Sequence, residues 1–248
     1  MIERLRVPNH RGVQIPAVLG LVLAVLGATS LVVVALFVGR GVSAAGWVAS
    51  LGACLVAVAG LVDDLAPPGP RGLRGHLRAL GQGRVTSGIV KLVVTLGCSV
   101  LVVAPVQGRT AAARIAGVLL IAGATNLWNG LDVRPARALK FFYPVGATAF
   151  ATPLAAIPFA PGIVLGAMIV FPWDAGERAM LGDSGANLLG FTAGLCLFHV
   201  LHGIVLWIAA VLAVGLNVLA DTVTLSRVIE STPPLRWFDR LGRSVDGG

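Results

Sequence analysis

Charge is what this sequence has least of. Of its 248 residues only 12% are charged, against 56% hydrophobic, and a soluble domain carries about twice that charged share. Aromatic residues make up 6%, with a single tyrosine, and there are four histidines and three cysteines. So apolar a chain is neither disordered nor a nucleic-acid-binding domain, despite its net charge of +8. Cys54, Cys98 and Cys196 lie far apart inside apolar runs, with no C-x-x-C and no Cys/His zinc spacing. That excludes a disulfide framework and a structural zinc site, and leaves them as small packing residues.

Long apolar runs are what the chain has instead, with a mean hydropathy of +0.89. They fall near 15–38, 42–62, 88–106, 111–127, 140–158, 161–173, 186–201 and 203–224. A membrane-crossing helix needs about 20 residues, so eight of them use about 160 and leave only short loops. The expectation is an all-α, polytopic integral membrane protein. It has one domain over 1–248, ending in a basic and aromatic tail over 226–248. The first run is too long for the apolar core of a signal peptide and is read as a retained span.

Eight spans return both termini to one side. All the lysines and arginines except Arg40, Arg109 and Arg114 then fall on that side, which the positive-inside rule makes cytoplasmic. The expected location is the cell membrane, with both termini inside and self-association left open. All eleven acidic residues fall on the same side. Carboxylates contribute little to topology, so their placement calls for a site built from acids.

Four segments carry the chemistry. Asp63 and Asp64 end the second run in Gly60-Leu61-Val62-Asp63-Asp64-Leu65. Carboxylates about 5 Å apart repel by about 3 kcal/mol at an effective dielectric of 20. Mg²⁺ would relieve this, since it favours one or two carboxylates plus substrate phosphates; solvated helix-end acids are the alternative. Asp183 lies in Gly182-Asp183-Ser184-Gly185-Ala186-Asn187, where glycines admit a ligand and the next helix starts with N–H groups open to phosphate. An N-cap by Asp183 or Ser184 competes with that reading. Asn126, Asn129 and Asp132 precede Arg134, Arg137 and Lys140. The amides and the acid suit a base or sugar, and the cations either hold phosphate or anchor the chain at the membrane. Last, Arg74, His76 and Arg78 form a basic stretch before Lys91, which either snorkels to the interface or meets an anionic headgroup.

In order and spacing, Asp63-Asp64, Asn126 to Asp132 and Gly182 to Gly190 resemble three motifs of one family, the polyprenyl-phosphate N-acetylhexosamine-1-phosphate transferases. The family includes the phospho-MurNAc-pentapeptide translocases and the undecaprenyl-phosphate GlcNAc-1-phosphate transferases, and its motifs read D-D, N-A-x-N-L-x-D-G-x-D-G and G-D-x-G-S-x-x-L-G. Asn9 to Pro16 and Ala220-Asp221-Thr222 are similar to further family segments. The resemblance implies Mg²⁺-dependent transfer of a sugar 1-phosphate from a UDP-sugar to a polyprenyl phosphate at the cytoplasmic face, with UMP released. It implies Asp183 and Asp64 as metal ligands and Asp63 or Asp64 aligning or deprotonating the lipid phosphate. Asn126, Asn129, Asp132 and Asn187 would bind the nucleotide sugar, and Lys91, Arg74, His76 and Arg78 would face phosphate groups.

The chain departs from the pattern at Asn129, Val133 and Ala186. It also lacks the family's extra N-terminal span and its His-rich loop, near whose place Asp239-Arg240-Leu241-Gly242-Arg243 stands. These departures carry an alternative: a non-catalytic relative that binds polyprenyl phosphate or diphosphate and organises cell-envelope partners. The tail around Trp237 and Phe238 reads as an interfacial helix or as a lid replacing the missing loop.

Overall fold

The computed structural model describes residues 5–9, 11–38, 41–67, 69–70, 72–222 and 225–241. Arg40, His10, Arg71 and the tail past 241 lie outside the described residues, as does the side chain of Asp221. The described chain is helical apart from a short N-terminal hairpin, β1 (Arg6–Pro8) paired antiparallel with β2 (Gln14–Pro16). Asn9 makes the turn, its Oδ1 accepting from the N–H groups of Arg11 and Val13 at 2.9 Å each.

The helices are α1 (Leu19–Phe37), α2 (Ala44–Leu65), α3 (Gly72–Gly81), α4 (Ser87–Val103), α5 (Ala111–Leu131), α6 (Arg137–Gly146), α7 (Ala160–Ala175), α8 (Gly182–Val200), α9 (Gly203–Thr222), α10 (Leu225–Ser231) and α11 (Pro233–Arg240). Hydroxyl caps start three of them: Ser43 for α2, Thr86 for α4 and Thr110 for α5 each accept from an N–H in the first turn. Four helices, α1, α2, α5 and α9, are long and apolar enough to cross a membrane, and α4 and α7 are shorter apolar helices. Outward-facing Val25, Leu36, Leu51, Val93 and Val211 are more than half exposed, an apolar exterior that suits lipid rather than water.

The predicted run 140–158 is not one continuous helix. It resolves into α6 and a 3-10 turn over Ala147–Ala151. Ten α-helical residues rise only about 15 Å, half of a bilayer core. Pro144 lies inside α6 and Pro153 and Pro158 follow it, and a proline supplies no N–H to continue a helix.

α8 is the axis of the bundle, with nearly all of its residues buried and with α1, α2, α5, α6 and α7 packed around it. Its glycines make this possible. A methyl at Gly190 would strike the Ala124 carbonyl and Thr125 Cα, and one at Gly194 would strike Ile121 Cα. Small residues let backbones approach closely where lipid removes any hydrophobic drive for helices to associate. At the far end of α8, Arg109 donates to the carbonyls of Phe198, His199 and Leu201 and stacks over the Phe198 ring at 4.7 Å. The end of α2, the starts of α4 and α8 and the end of α5 therefore share the opposite end of the bundle.

Candidate active site

Gly60 decides how α2 meets α8. A Cβ there would lie 2.6 Å from Asp183 O and from Ser184 Cα, so only glycine admits the contact. One turn later on the same face comes Asp64. Its Oδ1 accepts from the Asp183 N–H at 2.8 Å and its Oδ2 from the Ser184 N–H at 3.1 Å. The neighbouring N–H, that of Gly182, faces the carboxylate of Asp132 at the end of α5. Gly182 itself takes a positive φ of 69°.

This overturns the expectation that the α8 N-terminus is open to phosphate. Its first N–H groups are already held by two carboxylates from other helices, which satisfies orphan donors that the helix cannot pair internally. Neither Asp183 nor Ser184 acts as the cap. With both oxygens of Asp64 turned to backbone donors, its place is that of a cap, and the expected metal-ligand role fits it poorly.

Freed from capping, Asp183 faces Asp63 and Lys91. Lys91 Nζ donates to Asp63 Oδ2 at 2.6 Å and to Asp183 Oδ2 at 2.5 Å. Asn129, with its amide oriented to satisfy both neighbours, donates to Asp183 Oδ1 at 2.8 Å and accepts from Lys91 Nζ at 3.2 Å. The Ser87 hydroxyl also reaches Asp63, and the Asp63 and Asp183 carboxylates stand within hydrogen-bonding range of each other. The cluster opens outward, with 13% of the Lys91 side chain, 19% of Asp63 and 30% of Asp183 exposed.

Beside it lies a cavity of about 240 Å³, bordered by Asn9, Asp132, Arg134, Asp174, Glu177 and Met180. The hairpin closes one side, tied down by Asn9 Nδ2 to Glu177 Oε2 at 2.8 Å and by Met180 N to Pro16 O at 2.9 Å. Burial pushes Asp132 well above the ordinary carboxylate range, and the charges of Asp174, Asp183 and Asp64 add to it. The Gly182 N–H pulls the other way. Asp174 accepts from the Ala136 N–H at 3.2 Å.

Other expected site residues lie elsewhere. Asn126, a turn deeper than Asn129, bonds Asn217 at 2.5 Å, and Asn217 in turn donates to the Gly123 carbonyl. It joins α5 to α9 and is not brought to the cluster. His76 bonds Thr86 Oγ1 at 2.8 Å and sits against Gly88, tying α3 to the start of α4. Arg74 and Arg78 stand on the exposed face of α3. Asn187 is 1% exposed, and its Nδ2 has no partner among the described residues.

Arg137 and Lys140 are turned to the end of the chain. Arg137, fully buried, makes a two-pronged pair with Asp239 at 2.8 and 3.0 Å and reaches Ser226 Oγ at 2.7 Å. Lys140 donates to the Asp239 and Leu241 carbonyls. Phe238 packs edge-on against Phe141 at 5.3 Å, and Trp237 alone of the two tail aromatics is largely exposed. Neither tail reading foresaw this clamp of α11 onto α6. In sequence, Asp239 among Arg236 and Arg240 reads as one more surface charge.

Asp63, Asp64 and Asp183 lie around the Lys91 ammonium, and Asp132 stands near Asp64 and Asp183. That surplus of hard oxygen donors fits Mg²⁺. Asp63 and Asp183, close enough to need a shared cation or proton, are the pair that could hold it. Among the described residues no three His, Cys, Asp or Glu side chains are grouped so as to hold a metal ion by themselves. By sequence, the chain matches no family model and no curated protein.

Proposed function

We propose that this chain is a polyprenyl-phosphate sugar-1-phosphate transferase, using Mg²⁺ and a UDP-sugar at the cytoplasmic face of the membrane. The single observation behind this reading is the meeting of Asp63, Asp183, Lys91 and Asn129 at one open end of the bundle. The bond formed joins an oxygen of the lipid phosphate to the phosphorus bearing the sugar. The bond broken is the phosphoanhydride to UMP. Two anionic reactants must approach each other, so the main task of the protein is to hold them in line and offset their charge.

Lys91 meets that need directly, because its ammonium already lies between two acids and can exchange one of them for a phosphate oxygen. Asp63 takes the proton of the lipid phosphate or turns its oxygen toward the donor. Asn129 steadies both Asp183 and Lys91. Asp64 and Asp132 act at one remove, fixing the first turn of α8 and therefore the aim of Asp183. The cavity under the hairpin is assigned to the nucleotide sugar, with Arg134 toward its phosphates and Asp132 and Asn9 toward hydroxyl or amide groups. Mg²⁺ held by Asp183 and Asp63 would supply Lewis-acid stabilisation of the charge growing on the leaving oxygen. The excess of Arg and Lys near this end supports a cytoplasmic orientation.

The test is incubation of the purified full chain in lipid nanodiscs with Mg²⁺, a polyprenyl phosphate and a panel of nucleotide sugars. Mass spectrometry would follow nucleotide release. Release of UMP with formation of a lipid-linked diphospho-sugar is expected, and Asp183→Asn should abolish it while retaining the elution profile of the wild type. Thermal stabilisation by these substrates without any nucleotide release would favour the non-catalytic relative. Full activity of Asp183→Asn would remove the assigned role.

A further inference from the structure

Between the ends of α2 and α4 the chain makes one short helix, α3, and its sequence divides that helix into distinct faces. At about 100° per residue, Leu80, Leu77, Arg74 and Arg78 follow one another over about 160° of its surface. All four are exposed, Leu77 at 49% and Leu80 at 42%. The remaining side turns inward. Ala79 is buried there, and His76 bonds Thr86, the residue that caps α4. The His76 ring lies so close to Gly88 that a Cβ at that position would stand 2.4 Å from it. α3 therefore shows an apolar strip beside a basic strip, and the described residues cover neither.

Charge along this segment has one sign. Arg74, Arg78 and Arg84 fall in it, and no acid occurs between Asp64 and Asp132. Arg78 and Arg84 are exposed, and their guanidinium groups pair with nothing among the described residues. Val85, 70% exposed, follows Arg84 directly. The level of α3 is set by α4, whose Val90 and Val93 face outward within its first two turns. Such a face belongs in lipid, and His76 holds α3 against the start of that helix. α3 therefore sits where hydrocarbon gives way to headgroups.

We infer that α3 and the turn after it form a docking surface for the anionic headgroups of the surrounding bilayer. Leu77, Leu80 and Val85 dip between acyl chains, and Arg74, Arg78 and Arg84 meet the phosphates. Leucines beside arginines on one short helix are what an interfacial helix offers, whereas a soluble anionic partner would leave the leucines in water. The lipid is a neighbour and not a reactant, so the inference does not depend on the transferase reading. Through His76 and Thr86 it steadies the start of α4, the helix that carries Lys91.

The experiment places the full chain in phosphatidylcholine nanodiscs containing a trace of phosphatidylglycerol or of phosphatidylcholine, each with a diazirine close to the headgroup. Labelled peptides are mapped by mass spectrometry. An arginine near an anionic surface is worth about fivefold in lipid preference. Phosphatidylglycerol should therefore label 72–85 at least about tenfold more than phosphatidylcholine does, and high salt should shrink the excess. Arg78→Gln with Arg84→Gln should cut it at least about fivefold. Both side chains are exposed, and the wild-type ratio stands by itself if the double variant fails to fold. Equal labelling by the two lipids overturns the inference, as does an excess that the double variant leaves unchanged. Labelling of 72–85 by neither lipid puts α3 in water and overturns it too. So does loss of the label on adding polyprenyl phosphate, which would assign the arginines to a substrate lipid.

Discussion

Removing the carboxylate of Asp239 is the most demanding test of how the end of the chain is held. In the folded protein the Arg137 side chain is 0% exposed and that of Asp239 only 4%. Their two hydrogen bonds and the Ser226 contact satisfy much of the guanidinium. Asp239→Ala leaves a buried arginine facing a single hydroxyl. Stripping one partner from a buried pair costs about 3–5 kcal/mol. Arginine cannot shed its proton to escape that cost, so the tail should swing away and let water reach it. At about 1.4 kcal/mol per tenfold, the open population rises about a hundredfold to a few thousandfold. Hydrogen exchange of the α11 amides in the solubilised protein reads this directly, as protection lost over 235–240 with α8 unaffected. Arg137→Met should cost less, because an abandoned carboxyl can take up a proton. The double variant Arg137→Met with Asp239→Leu should recover most of the protection. Unchanged exchange in Asp239→Ala would show that Phe238 and the Lys140 contacts hold the tail without the ion pair.

Other consequences are open to measurement. Lys91→Ala removes the one ammonium shared by Asp63 and Asp183, so its melting temperature should fall and should respond more strongly to millimolar Mg²⁺ than that of the wild type; no response to Mg²⁺ in either protein would contradict the surplus-acid argument. Arg109→Ala leaves three carbonyls at the end of α8 without their donor and should cost about 1–3 kcal/mol in thermal unfolding, with Arg109→Lys recovering only part because an ammonium lacks the guanidinium fork. Asp132 binds its proton more tightly folded than unfolded, so its contribution to stability declines as pH rises above the ordinary value of 3.8. Asp132→Asn should therefore flatten that decline and match or exceed the wild-type melting temperature near neutrality in chelator, and a lower one would show that the carboxylate is required in its charged form.

Much of this arrangement could be read from the sequence, and the parts that could not share a cause. Apolar runs located the helices because period and composition are local properties. The run containing Pro144 misled because hydropathy registers apolar side chains and not the loss of an N–H donor. Asp63, Asp64, Asp132 and Asp183 could be expected at one end because the count of apolar runs placed each of them there, although the run over 140–158 is not one helix. The partners of individual side chains depend on contacts far apart in sequence: Arg137 with Asp239, Asn126 with Asn217, His76 with Thr86 across a turn.

The division of labour between Asp63 and Asp64 shows where local reasoning stops. Adjacent helical residues point about 100° apart, so an acid doublet cannot present both carboxylates to one ligand in the same way. One of them must face the neighbouring helix. Gly60 shows which, since it lies four residues before Asp64 and only a residue without a side chain can press α2 onto the Asp183–Ser184 backbone. A glycine one turn before an acid marks that acid as the one facing the contact, and so as a cap for the other helix. Its neighbour is left to face the open side with Lys91. On this argument the two variants separate by mechanism: Asp64→Asn should lower the melting temperature and activity together through α8, and Asp63→Asn should lower activity with little change in melting.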